Sequence, residues 1–226
     1  VENTDQQWFC SIFHSVSAFC NAGFSIFDRN LMDYQLSIGV VTVICVLMVL
    51  GGLGFGVLYN LSWVVADRVR RLPQRNRLPD KYFQPGIPIR LQLQSKIVLT
   101  TSAILIVAGT GLLMLFGHFS PESNASGELL PALFQSVSAR TAGFNVVSIS
   151  ELPDTSKLTM MVLMFIGGSS GGTAGGIKTT TFALIVMVVY ATLRKRREVE
   201  IFKRSIRLVV VGRAVTVAML FGTLLL

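Results

Sequence analysis

Residues 13–24 read FHSVSAFCNAGF, and residues 134–144 read FQSVSARTAGF, a closely similar string one residue shorter. A second block repeats in the same order: VLMVLGG at 46–52 returns as VLMFIGG at 162–168, 28 residues from Gly23 to Gly51 and 24 from Gly143 to Gly167. Two ordered blocks with similar separation define a repeating unit of about 120 residues rather than chance likeness between apolar segments. The apolar stretches leading into each AGF, Trp8 to Phe19 and Glu128 to Ala139, are about 12 residues long, roughly 18 Å as helix, too short to cross about 30 Å of hydrocarbon. They are expected to be half-helices that enter a membrane and stop at the glycine.

The rest of the chain supports a membrane setting. Of 226 residues 51% are hydrophobic and only 14% charged, with a mean hydropathy of +0.61, more apolar than one soluble core needs. Uncharged runs cover Tyr34 to Ala66, Ile97 to Gly117 and Leu158 to Ile177, and a fourth starts at Leu208; each of the first three is long enough to span as a helix. The net charge of +8 does not point to nucleic acid, because 15 of the 20 Lys and Arg fall in two stretches, 67–96 and 194–207, both between apolar runs. Basic loops stay on the cytoplasmic side, so the N-terminus and the acid-rich segments lie outside, and the half-helices enter from that side. The chain is expected to be a piece of a longer protein.

Non-helical backbone at membrane depth is tolerable only where it is buried in protein or faces water. A half-helix also aims its negative C-terminal end at whatever lies beyond it, which favours a cation. Gly23 and Gly143 can take backbone angles closed to other residues. The carbonyls of Asn21, Ala22 and Gly23, and of Thr141, Ala142 and Gly143, can therefore turn toward one axis and replace the water shell of an ion, as rings of carbonyls do in potassium filters, with Phe24 and Phe144 packing outward to hold each segment. A tight turn with no ligand is the alternative for either AGF alone.

Gly167 to Thr181 read GGSSGGTAGGIKTTT, six glycines in ten residues between two apolar runs. From Leu158 to Leu193 a continuous helix would reach about 54 Å, beyond the bilayer core, and each glycine costs about 1 kcal/mol against alanine. The expectation is a broken helix whose flexible loop, Gly171, Gly172, Thr173, Ala174, Gly175, Gly176 and Lys178, lines a cavity and gates it. Lys178 at depth must face water or pair with carbonyls, and a cation there repels a permeant cation; close helix contact for the glycines and a snorkelling Lys178 are the plainer readings.

Other candidates carry less. Gly171 to Thr179 misses a phosphate-binding loop because Ile177 separates Gly176 from Lys178, and GGLGFG at 51–56 lacks the third glycine of a dinucleotide motif, since Val57 stands there; close helix packing is expected at 51–56. Cys10, Cys20 and Cys45 are odd in number, lack zinc spacing and are read as packing residues. Asn124-Ala125-Ser126 has the form of a glycosylation acceptor. Arg140 is expected to pair with Glu128, Glu151 or Asp154 at the outer mouth, or to be solvated. His14 is read as a hydrogen-bonding residue of its half-helix and Arg213 as a snorkelling one.

SVSAFCNAGF, SVSARTAGFN and MFIGGSSGGTAGGIKTTTF resemble the TrkH/KtrB superfamily of potassium transporters, and the last string is similar to its KtrB branch, over nearly the whole chain. The resemblance implies an all-α integral membrane protein in which units of helix, re-entrant pore helix and helix surround a pseudo-fourfold pore. On it, residues 1–66 are the end of a second repeat and 67–96 a cytoplasmic basic loop. Residues 97–193 are a complete third repeat with a broken inner helix, 194–207 a second cytoplasmic loop, and 208–226 the first helix of a fourth. It further implies K⁺ uptake by a pore-forming subunit, with Na⁺ as a possible coupling or activating ion and no bound cofactor. A homodimer, a cytosolic ring of nucleotide-binding regulatory subunits and a multi-pass place in a bacterial inner membrane complete the expectation. Two readings compete with it. One is a secondary transporter of a small solute or sodium with broken helices, which the common orientation of the repeats disfavours. The other is a membrane enzyme, for which the sequence offers no nucleophile with a base, no metal cluster and no paired carboxylates.

Overall fold

The computed structural model describes residues 4–71, 90–117, 125–195, 200–201, 204–205 and 208–225. Most of the two basic stretches and Asn124 of the glycosylation triplet lie outside them. Among the described residues the fold is helical, with one two-residue strand pair, β1 (Glu200–Ile201) against β2 (Arg204–Ser205).

Each AGF follows a short helix. Helix α1 runs Thr4–Phe19 and α5 runs Ala125–Ser138, about 24 and 21 Å at 1.5 Å per residue, both shorter than a bilayer core. After each turn comes a short 3-10 turn, Met32–Tyr34 in the first unit and Ile149–Glu151 in the second, and then an inner helix. The repeat read from the sequence is thus a repeat of structure, element for element.

The inner helix of the second unit breaks where its glycines fall. Helix α6 covers Asp154–Phe165 and α7 covers Thr179–Leu193, with the loop 166–178 between them. The first unit departs from expectation. The uncharged run from Tyr34 to Ala66 is two helices, α2 (Ile38–Leu53) and α3 (Phe55–Arg71), bent by 105° at Gly54. Gly54 has φ +81°, a left-handed conformation that glycine adopts without the Cβ clash other residues suffer. GGLGFG therefore holds a hinge at Gly54 as well as the expected close helix contact, since a Cβ at Gly51 would strike Phe19 O at the end of α1, and α3 runs five residues into the stretch read as a loop.

Helix α4 (Leu93–Phe116, 24 residues) is the helix among the described residues long and apolar enough to cross a membrane unbroken. It packs against α3, α5, α6 and α7. Ser136 Oγ of α5 donates to Ile106 O at 3.0 Å, and a side chain at Gly109 would strike Ser136, so α4 and α5 meet at backbone distance. Helix α8 (Leu208–Leu225) packs on α7. The main core joins the two units, with Leu31, Val41, Met48, Leu113, Phe134 and Phe144 buried together. Cys45 lies in that core, whereas Cys20 is exposed, so the packing role expected of all three cysteines fails at Cys20.

Candidate functional site

Both turns use the same backbone. Asn21 and Gly23 have φ of +50° and +70°; Thr141 and Gly143 have +75° and +87°. Left-handed residues two apart are thus common to both turns, and the non-glycine member of each pair is strained, most of all the β-branched Thr141. Each turn is also closed by the same side chain. Ser17 Oγ donates to Phe24 O at 2.8 Å, and Ser138 Oγ donates to Phe144 O; these serines are equivalent in the repeat. The two backbones converge. A Cβ built on Gly23 would lie 2.5 Å from Ala142 O and 2.9 Å from the Gly143 Cα, and one built on Gly143 would lie 3.3 Å from the Gly23 Cα. Glycine is required at 23 both for its angle and because the opposing carbonyl occupies the side-chain space.

The segments that follow the turns are joined as well. Leu31 N donates to Asn145 O at 3.1 Å and Asn145 N to Asn30 Oδ1 at 3.2 Å. His14 behaves as a hydrogen-bonding residue of α1. Its Nδ1 is 2.7 Å from Cys10 O, a pure acceptor, so Nδ1 carries the proton and Nε2 accepts from Ser25 Oγ at 3.0 Å. Its ring stacks on Phe27 at 4.7 Å, which fixes the chain beyond Phe24.

The glycine-rich loop lies against both turns and against the Gly54 hinge. Ile166 and Ile177 bridge its neck, with Gly167 N donating to Ile177 O at 3.0 Å. Ser169 N donates to Gly52 O at 2.9 Å, Thr173 N to Gly51 O at 3.3 Å, and Phe55 N to Gly171 O at 3.2 Å. A Cβ on Gly172 would sit 2.7 Å from Gly52 O, and one on Gly54 would sit 2.9 Å from Gly172 N. Glycines on both sides let the hinge and the loop interlock. The loop read as flexible is therefore a hydrogen-bonded plug in this structure. Lys178 caps α7, is half-buried, and donates from Nζ to Ala174 O at 2.9 Å, the carbonyl pairing that a cation at depth requires.

Of the sequence-derived site residues, Gly23 lies against Ala142 and Gly143, and the loop meets both turns through Thr173 at Asn21 and Gly175 at Thr141. Two details differ from expectation. Phe144 is buried at 0% exposure, but Phe24 is 70% exposed and packs little. Arg140 makes no ion pair with Glu128, Glu151 or Asp154; its guanidinium donates to Ser102 Oγ of α4 at 3.2 Å. It lines a cavity of about 20 Å³, one water in size, together with Asn21, Gly52, Gly168 and Ala174. It turns inward because it follows the end of α5, where its neighbours are α4 and the loop.

The fold is all-α, with two short helices ending at convergent glycine turns, each followed by an inner helix broken at glycine. The sequence model of the TrkH family, described as a cation transport protein, matches residues 2–226, and the chain belongs to that family. It is 34% identical over 221 residues to the Ktr system potassium uptake protein B of Vibrio alginolyticus, covering 96% of this chain and 44% of that protein. It is 33% identical over 218 residues to the potassium/sodium uptake protein NtpJ of Enterococcus hirae, covering 92% and 42%. The crystal structure of the potassium transporter TrkH from Vibrio parahaemolyticus superposes with a TM-score of 0.67 at 20% identity, over 92% of this chain and 42% of that one, a likeness of fold. The chain spans less than half the length of the curated relatives it matches. The family is one of membrane transporters, not of enzymes.

Proposed function

We propose that this chain forms two of the filter strands of a potassium uptake pore, with K⁺ held by the backbone carbonyls of Asn21, Ala22, Gly23, Thr141, Ala142 and Gly143. The observation that carries the reading is the convergence of two turns with matching left-handed angles, Ala142 O directed at the space beside Gly23. Backbone carbonyls presented this way are a dehydrated-cation site, and the ends of α1 and α5 add partial negative charge. The loop 167–178 is the gate, closed here on the hinge at Gly54 and tied through Lys178. The remaining filter strands belong to the part of the relatives this chain does not span.

The ion is K⁺, with Na⁺ as coupling or activating ion; the name of the Enterococcus relative is the ground for retaining sodium. By family resemblance the full protein pairs as a homodimer in a bacterial inner membrane and takes its regulation from a cytosolic nucleotide-binding ring. Gly143→Ser in the full-length protein tests the filter: rubidium uptake in competition with sodium should lose selectivity while expression holds, and unchanged selectivity would remove the assignment. Lys178→Ala should raise basal flux in liposomes, since it frees the loop from its own carbonyl tie; an unaltered or lower rate argues that the loop only packs.

A further inference from the structure

The filter turns and the loop are joined through the side chains of the two non-glycine residues that hold left-handed angles. Asn21 Nδ2 donates to Thr173 Oγ1 at 2.8 Å and to Met48 O at 3.3 Å. Thr173 Oγ1 in turn donates to Phe19 O at 3.2 Å, at the end of α1. In the second unit Gly175 N donates to Thr141 Oγ1 at 3.0 Å. Two equivalent positions in the repeat thus reach two loop residues only two apart. Neither contact follows from the filter role, which uses the carbonyls of Asn21 and Thr141 and leaves their side chains free.

We infer that Asn21 and Thr141 are positioning residues that couple occupancy of the filter to closure of the loop. This rests on the filter reading above. An ion ligated by the carbonyls at 21 and 141 fixes the peptide planes of those residues, and with them the direction of their side chains. With the ion gone the like dipoles of the carbonyls repel and the strained angles at Asn21 and Thr141 are free to relax. The side chains then swing off Thr173 and Gly175. K⁺ in the filter therefore stabilises the closed loop, and by linkage the closed loop raises the affinity of the filter for K⁺ by the same factor. Thr173 is the receiving group, because its hydroxyl accepts from one turn and donates to the helix end before it.

The test is amide hydrogen exchange on the full-length protein in lipid nanodiscs, in K⁺ against choline, read on peptides covering 134–144 and 167–178. In the wild type K⁺ should slow exchange in both segments, the loop by about tenfold, within the usual range of such couplings. Thr173→Val, equal in shape but without the hydroxyl, removes the Asn21 link and leaves that of Thr141, so it should keep K⁺ protection at 134–144 while the loop response falls clearly below that of the wild type; Thr173→Ser should restore it. A loop indifferent to K⁺ beside a protected filter segment, or a Thr173→Val loop responding as the wild type does, overturns the coupling alone. No K⁺ protection in either segment overturns the filter reading with it.

Discussion

The turns at 21–24 and 141–144 share their backbone and differ in almost everything around it. Both place left-handed residues two apart, and both are closed by an equivalent serine. Yet Phe24 is largely exposed and Phe144 fully buried. The residue before the first turn is an exposed Cys20, and before the second an Arg140 held by Ser102. His14 has its hydrogen bonds satisfied within its own unit, whereas the equivalent Gln135 is buried with no partner for its amide among the described residues. The shared part is what a carbonyl cage requires. The part that varies is packing, which each unit solves against different neighbours. On the proposed filter, strands of one geometry sit in unequal surroundings, so equivalent substitutions should have unequal consequences wherever the neighbours differ.

The largest expected effect is at the glycines. Gly23→Ala sets a Cβ 2.5 Å from Ala142 O, so uptake should fall by an order of magnitude or more, about 1.4 kcal/mol per factor of ten. Gly143→Ala shares the left-handed strain of position 23 but meets the Gly23 Cα at 3.3 Å without a clash below 3.0 Å, and should cost several-fold less in the same rubidium assay. Equal losses would mean that the turns do not converge as described.

A smaller effect is expected at the hinge. Gly54→Ala forces a left-handed alanine, about 1–2 kcal/mol, against a backbone 2.9 Å away in the loop, and should lower the thermal midpoint in detergent. Gly39→Ala, in α2 with nothing within 4 Å of its Cβ, should leave the midpoint unchanged or raise it. A tolerated Gly54→Ala would show that the hinge and loop do not interlock.

Smallest and most alike should be Ser17→Ala and Ser138→Ala. Each removes one buried donor to a phenylalanine carbonyl, about 1–2 kcal/mol when the acceptor is left unpaired. Thermal unfolding of the two variants should agree closely, and a wide gap between them would break the equivalence of the turns.

How much of this was written in the chain depends on the kind of signal. The repeat, the half-helices and the break at 167–178 were legible because they rest on length, order and glycine density, which are local. The hinge at Gly54 was not, since GGLGFG interrupts an uncharged run without a single polar residue, and a count of apolar residues cannot tell a straight helix from a bent one. Its cause is a partner more than 100 residues away, the backbone of Gly171 and Gly172. Arg140 failed for a related reason. Charge alone sent it toward the acidic residues outside, while the end of α5 directs it to α4. The side-chain contacts of Asn21 and Thr141 with the loop were hidden because the AGF pattern points only to their carbonyls. Lys178 was legible in principle, since a cation at depth needs carbonyl partners, though not which carbonyl.

The central claim is that the two turns face one axis and bind a dehydrated alkali cation. Anomalous scattering from crystals of the full-length protein grown in rubidium tests it most directly. The account predicts a peak on the axis between Gly23 and Gly143, in direct coordination with the carbonyls of residues 21–23 and 141–143. Rubidium found only elsewhere, with these carbonyls turned away from a common axis, would contradict it.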